Sequence, residues 1–181
     1  PHTRELMAAY HHYRRIAQAH IRGYMGILHD VPTIPGVSIN QLLGAGGSNL
    51  YWRTQGESSD GVIVCHANST ESVASVMSWP LLARVFDLPL ADPQKDQLAK
   101  LFVETLITHE LGHAVLSCYD IAVTSRLGES AEANSLEEMK AELMGMKFIV
   151  DRAAETGDTK HLHDLYLATI ACGLDYVVNR S

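Results

Sequence analysis

Cysteine is scarce in this chain. Its three residues among 181, Cys65, Cys118 and Cys172, stand far apart, and no C-x-x-C pair occurs. That excludes a disulfide framework and a cysteine-ligated zinc knuckle, and it makes a reducing, cytoplasmic setting the expectation. No apolar run approaches 18 residues and no charged-then-apolar leader is visible, so neither a transmembrane span nor a signal peptide is expected. Positive charge is also in deficit: 14 Lys and Arg against 21 Asp and Glu leave a net charge of -7. Nucleic acid and anionic membranes, which need a basic footprint, are therefore not expected partners. Repeats and low-complexity segments are absent too. What remains, 46% hydrophobic and 19% charged residues, suits a single globular domain over residues 1–181. A start at Pro1 rather than methionine is compatible with a piece of a longer chain, and the oligomeric state cannot be read from composition.

Periodicity divides the chain into helices with a small β region. Leu6, Tyr10, Tyr13, Ala17, Ile21, Tyr24 and Leu28 recur every three or four residues, the stripe of an amphipathic helix that Thr3 is placed to cap. Leu50 to Thr54 and Val62 to His66 have strand character on either side of a polar turn and predict a hairpin. Asp92-Pro93 is a strong helix start, because proline's missing N–H costs nothing in a first turn. A polar stretch then runs from Tyr119 to Asn134, and Ser135-Leu136-Glu137-Glu138 opens another helix, with Met139, Leu143, Met146 and Val150 as its core stripe. Ala141 and Gly145, four apart, leave a smooth strip where a second helix can approach closely. Gly157 ends this helix, Asp158 caps the next, and Leu162, Tyr166, Ile170, Leu174 and Val177 stripe the last one.

The helix opened by Asp92 carries His109-Glu110-Leu111-Gly112-His113. Residues i and i+4 lie one above the other on a helix face, so both imidazoles can reach one cation. Glu110, about 100° around the helix, can reach a water bound to that cation. The flanking Ile107, Ala114 and Val115 are apolar, as a buried metal-bearing helix requires. Zinc, Zn2+, is the expected cofactor, with Glu110 as the general base.

A catalytic zinc needs a third protein ligand. The histidine-rich extension of the motif would need glycine at 116 and histidine at 119, where this chain has Leu116 and Tyr119, so that class is excluded. Asp120 is one candidate if the helix breaks there. Glu138, 25 residues after His113, and Glu142, one turn later, are the better ones, since both border an apolar stripe where a carboxylate needs a cation or a hydrogen-bond partner. Ser135-x-x-Glu138 is also a capping box, in which Glu138 would only bond back to the Ser135 amide. With Glu138 as ligand, Glu142 is left to orient a histidine from its outer nitrogen; with Glu138 as cap, Glu142 becomes the ligand.

His109-Glu110-Leu111-Gly112-His113 followed by Glu137-Glu138-Met139-Lys140-Ala141-Glu142 resembles the dipeptidyl peptidase III family and, more widely, the gluzincin class of zinc metallopeptidases. The resemblance implies His109, His113 and Glu138 as zinc ligands, Glu110 as the base and Glu142 as a supporting residue. Together these readings predict an α+β fold, mainly α-helical and zincin-like, with an active-site helix, a following glutamate-bearing helix and a small sheet or hairpin. They predict hydrolysis of a peptide or small amide substrate. His161, His163 and Tyr166 are candidate donors to the oxyanion, with His163 carried forward as a catalytic residue. The strand at Val62 to His66 is a candidate for aligning an extended substrate through its edge. Two rival readings keep the metal: a non-haem iron enzyme acting on a small molecule, and a non-catalytic zinc-binding protein.

Overall fold

The computed structural model describes residues 2–24, 36–40, 47–49, 62–66, 74–89, 92–114 and 131–179. Its helices are α1 (His2–Tyr24), a π-helical turn (Ala74–Ser78) running into α2 (Trp79–Phe86), α3 (Asp92–Ala114), α4 (Ala131–Thr156) and α5 (Thr159–Asn179). The expected α+β class is overturned. The part described down to its side chains is helical, 95% of it in helices and none in a strand, and every core residue lies on a helix or the π-helical turn. Three short stretches are paired as strands, β1 (Gly36–Asn40), β2 (Gly47–Asn49) and β3 (Val62–His66), in the order β1-β3-β2. Of the expected hairpin, Leu50 to Thr54 lie outside the described residues; β3 runs parallel to β1 and antiparallel to β2, the strand that ends just before them. Alternation identifies a strand but not its neighbour.

Helix α3 is the centre of the body and packs against α1, α4 and α5. Leu98, Ala99, Leu101, Val103, Ile107 and Leu111 are buried around most of its circumference, as expected of a helix enclosed on several sides. Thr108, also buried, turns its hydroxyl back onto the Thr105 carbonyl at 2.8 Å. Helix α1 buries Leu6, Tyr10, Tyr13 and Ala17 as its periodicity predicts, together with Ala9 and Ile16; Thr3 lies inside the helix instead of capping it. Helix α2, which periodicity did not single out, places Pro80 in its first turn and anchors Trp79 and Leu82 in the core.

Helix α4 crosses α3 on glycine. A methyl group built at Gly112 would stand 2.3 Å from the Ala141 carbonyl oxygen, and one at Gly145 would stand 3.1 Å from the His109 amide nitrogen. The smooth strip of Ala141 and Gly145 is therefore used as expected. The rest of α4 departs from expectation. It begins at Ala131, not at Ser135, and the Ser135 hydroxyl donates to the Ala131 carbonyl at 2.8 Å. Its buried face is Ala141, Gly145, Phe148 and Ile149, while Met139, Leu143 and Val150 of the expected core stripe are exposed at 54%, 59% and 38%. Ala141 and Gly145 take the crossing because they allow the closer helix contact, and Phe148 and Ile149 continue the same buried face. Gly157 ends α4 at φ 72°, and Asp158 Oδ1 accepts from the His161 amide at 2.9 Å, both as predicted. Helix α5 is rotated from its predicted face: Leu165, Ala168 and Ala171 are buried, and Ile170 and Val177 are exposed.

One buried carboxylate ties four helices. Glu104 Oε1 on α3 accepts from the Tyr13 hydroxyl of α1 at 2.5 Å, pairs with His161 Nε2 of α5 at 2.9 Å, and accepts from Arg152 Nη1 of α4. Arg152 also lies over the Tyr13 ring, 5.1 Å from its centroid. Burial alone would raise the Glu104 carboxyl, but His161, Tyr13 and Arg152 together hold it below the usual glutamate value.

Two measurements test this packing. Gly112→Ala gains helix propensity but must push α4 away, so urea unfolding should show a net loss of about 2 kcal/mol, and Gly145→Ala should lose less. An unchanged midpoint for Gly112→Ala would refute the close crossing. A depressed folded-state value means that the Glu104 contribution is complete above the unfolded carboxyl near ~4.3 and lost as pH falls through the lower folded value. Glu104→Gln should therefore flatten the acid limb of the stability profile below about pH 4.

Candidate metal centre

The close crossing of α3 and α4 sets two histidines of one helix against the carboxylates of the other. His109 Nε2 and His113 Nε2 lie 3.1 Å apart, with the rings at 88° to each other. Glu138 Oε2 lies 3.2 Å from His109 Nε2 and 3.8 Å from His113 Nε2. Zinc bonds of ~2.0–2.1 Å in tetrahedral array separate ligand atoms by about 3.3 Å, so these three spacings suit such an ion. His109, His113 and Glu138 are also the group of potential metal-binding side chains found among the described residues.

The outer nitrogens face carboxylates. His113 Nδ1 meets Glu137 Oε1 at 2.8 Å, and His109 Nδ1 lies 3.2 Å from Glu142 Oε1, within ion-pair reach but off the line of a well-aligned hydrogen bond. A carboxylate at Nδ1 keeps the proton there and turns the Nε2 lone pair inward. Two lone pairs meeting at 3.1 Å repel unless a cation or proton lies between them. The surrounding charge points the same way. Burial pushes His109 down, yet Glu138 and Glu142 more than offset it and raise the imidazole to about 10. Hydrogen bonding to His109 holds Glu138 below its ordinary value. The cluster thus demands a positive charge.

Glu110 completes the arrangement from the core side. Its side chain is buried, its Oε2 has no hydrogen-bond partner, and burial raises its carboxyl above the ordinary value against the pull of His109 and His113. An unpartnered buried carboxylate oxygen is costly. Lys140 braces the rim: its Nζ pairs with Glu137 at 2.9 Å and donates to the His113 carbonyl at 3.3 Å, meeting the negative end of α3.

The remaining candidates fall elsewhere. His163 is exposed on α5 beside Asp164, at 3.5 Å, and is not part of the His109–His113–Glu138 group. His161 is engaged by Glu104, and Tyr166 is half-buried on α5. Asp120 lies outside the described residues. Strand β3 is the middle strand, paired on both sides, and has no free edge for a substrate. The role of Glu137 was missed, because neighbouring glutamates on a helix look equivalent until the crossing angle is known. A concavity of about 520 Å³ lined by Arg15, His20, Asp151 and Glu155 includes none of the metal-centre residues.

No family model matches the chain, and no curated protein or solved structure matches it.

Ser135 and Glu138 give a clean test of cap against ligand. Ser135 bonds within the helix, so Ser135→Ala should leave both stability and zinc affinity nearly unchanged, where loss of a cap would cost ~1 kcal/mol. Glu138→Ala or His113→Ala should abolish stoichiometric zinc uptake in competition with a fluorescent chelator, and Glu137→Ala or Glu142→Ala should weaken it roughly 10–100-fold. Because His109 holds its proton to about 10, uptake near neutrality should release protons and tighten as pH rises. Zinc uptake unaffected by Glu138→Ala would remove Glu138 from the site.

Proposed function

We propose that this chain is a zinc-dependent hydrolase of peptide or small amide bonds. The observation that carries the reading is the convergence of His109 Nε2, His113 Nε2 and Glu138 Oε2 beside a buried Glu110 oxygen that nothing else in the described structure engages. Three protein ligands leave a tetrahedral ion one open position, the pattern of a catalytic and not a closed structural site. Bound zinc would supply Lewis acidity to a carbonyl and bring the pKa of its water toward ~7.

The residues of the chain divide the remaining work. Glu110 is positioned as the general base, taking a proton on Oε2 and returning it to the departing amine. Burial favours that role, since a carboxylate whose pKa is raised by its surroundings is the stronger base and takes a proton more readily. Glu137 and Glu142 hold the imidazoles in the tautomer that presents Nε2. The exposed side of Glu138, at 63%, leaves the centre open to a substrate from that direction. The resemblance to gluzincins, and to the dipeptidyl peptidase III family in particular, supports the same assignment. Among the described residues no helix is long and apolar enough to cross a membrane; a cytoplasmic setting is part of the proposal and rests on the scattered cysteines.

Metal analysis of protein purified without added metal, followed by hydrolysis of a mixed-sequence fluorogenic peptide library, tests this reading. Zinc near one equivalent is expected. Glu110→Gln should retain the zinc while lowering the rate roughly 10²–10⁴-fold. Iron with oxygen consumption would replace the reading by the oxygenase alternative. Unaltered hydrolysis in Glu110→Gln would refute the role of the base.

A further inference from the structure

The large apolar residues that α4 withholds from the core are not scattered. Leu136, Met139, Leu143, Met146 and Val150 follow one another at steps of three and four, and all but the half-buried Met146 are exposed, at 46%, 54%, 59% and 38% in order. In heptad terms they fill a, d, a, d and a over about 21 Å of helix. Ala141 and Phe148, both fully buried against the rest of the molecule, fall at f, on the opposite side. Helix α4 therefore has two apolar faces, one committed to α3 and one pointing outward. A single exposed leucine is ordinary, but a two-heptad seam on a rigidly held helix is a surface made for another helix.

The flanking charges indicate which helix. Position g of the first heptad is Glu142 and position e of the next is Lys147. In a parallel two-stranded arrangement a g residue meets the e residue of the following heptad across the seam. Two copies side by side would thus set Glu142 against Lys147 of the partner subunit, twice. An antiparallel pair would instead place e against e, lysine against lysine, which is unfavourable. Glu142 and Lys147 have partners in their own chain, His109 and Asp151, yet remain 53% and 48% exposed and can each accept a second contact.

We infer that the outward face of α4 is a homodimer interface in which two copies of this chain pack their α4 helices in parallel along the Leu136–Val150 seam. The helix is already held by the α3 crossing, so association need not also fold it. A seam of two heptads belongs among small interfaces, and the dissociation constant should be micromolar, on the order of 1–100 µM. The inference is independent of the metal.

Sedimentation equilibrium of the full chain from about 1 to 300 µM tests it, with Kd values in that micromolar range. A monomer–dimer equilibrium is expected. Leu143→Glu should raise Kd roughly 100-fold or more, since each dimer loses two buried leucines. Lys147→Glu should weaken the dimer, and Glu142→Lys combined with Lys147→Glu should restore it. Leu143→Cys under mild oxidation should give a covalent dimer absent from the unsubstituted chain, because a positions face their own copies only in the parallel register. Leu143 lies outside the core, so Leu143→Glu should keep its helical circular dichroism and, at a concentration where both chains are monomeric, its melting temperature; loss of either would overturn the inference. So would a chain that stays monomeric at the highest concentration, a dimer indifferent to Leu143→Glu, or the monomer binding neutral phosphatidylcholine vesicles through this face.

Discussion

Everything at the candidate centre depends on the absence of side chain at Gly112 and Gly145. A helix pair separated by leucines sits ~8–10 Å apart, and its short carboxylate and imidazole arms would meet only through water. Here the Ala141 carbonyl occupies the space that a Cβ at position 112 would need. That contact sets the distance between α3 and α4, and with it the 3.2 and 3.8 Å distances from Glu138 to His109 and His113. It also fixes rotation. With Ala141 and Gly145 turned inward, Glu138 and Glu142 lie at the margin of the contact and Met139 and Leu143 beyond it.

That rotation explains how far the sequence could be read. The motif at His109–His113 carries its own geometry, because the i, i+4 relation holds on any helix. Ala141 and Gly145 were legible as a close-approach strip for the same local reason, as were the Gly157 and Asp158 signals at the α4–α5 junction. The three- and four-residue spacing of Met139, Leu143, Met146 and Val150 was equally visible, but periodicity tells that residues share a face and not what the face meets. Large residues suggested the core, yet the close crossing selected the small ones. The same confusion rotated α5, where Ala168 and Ala171 took the interior and Ile170 and Val177 did not.

The capping reading of Glu138 turned on where α4 begins. Ser135 followed by Glu138 is a sound capping pattern only if the helix starts there; four further residues, Ala131 to Asn134, continue it upstream and turn the serine into an interior residue. Ala131-Glu132-Ala133 is good helix-forming sequence, but it lies in a stretch whose polarity suggested a loop. The small β region was legible in part: Val62 to His66 form a strand as read, but its pairing with β1, a partner 26 residues earlier in register, is a long-range decision that local alternation does not encode.

The four-way junction at Glu104 has a consequence for the order in which the molecule comes together. Its partners are Tyr13, Arg152 and His161, so one oxygen joins the beginning of the described chain to its last helix. Until α4 and α5 have been made and docked, α3 would carry a desolvated carboxylate with a single phenolic donor. Packing α3 on α1 alone would leave that charge poorly paired, and the junction is complete only with all four helices docked. The same contact ties the helix of His109 and His113 to the helix of Glu138, so the spacing at the candidate centre leans on a junction that lies outside it.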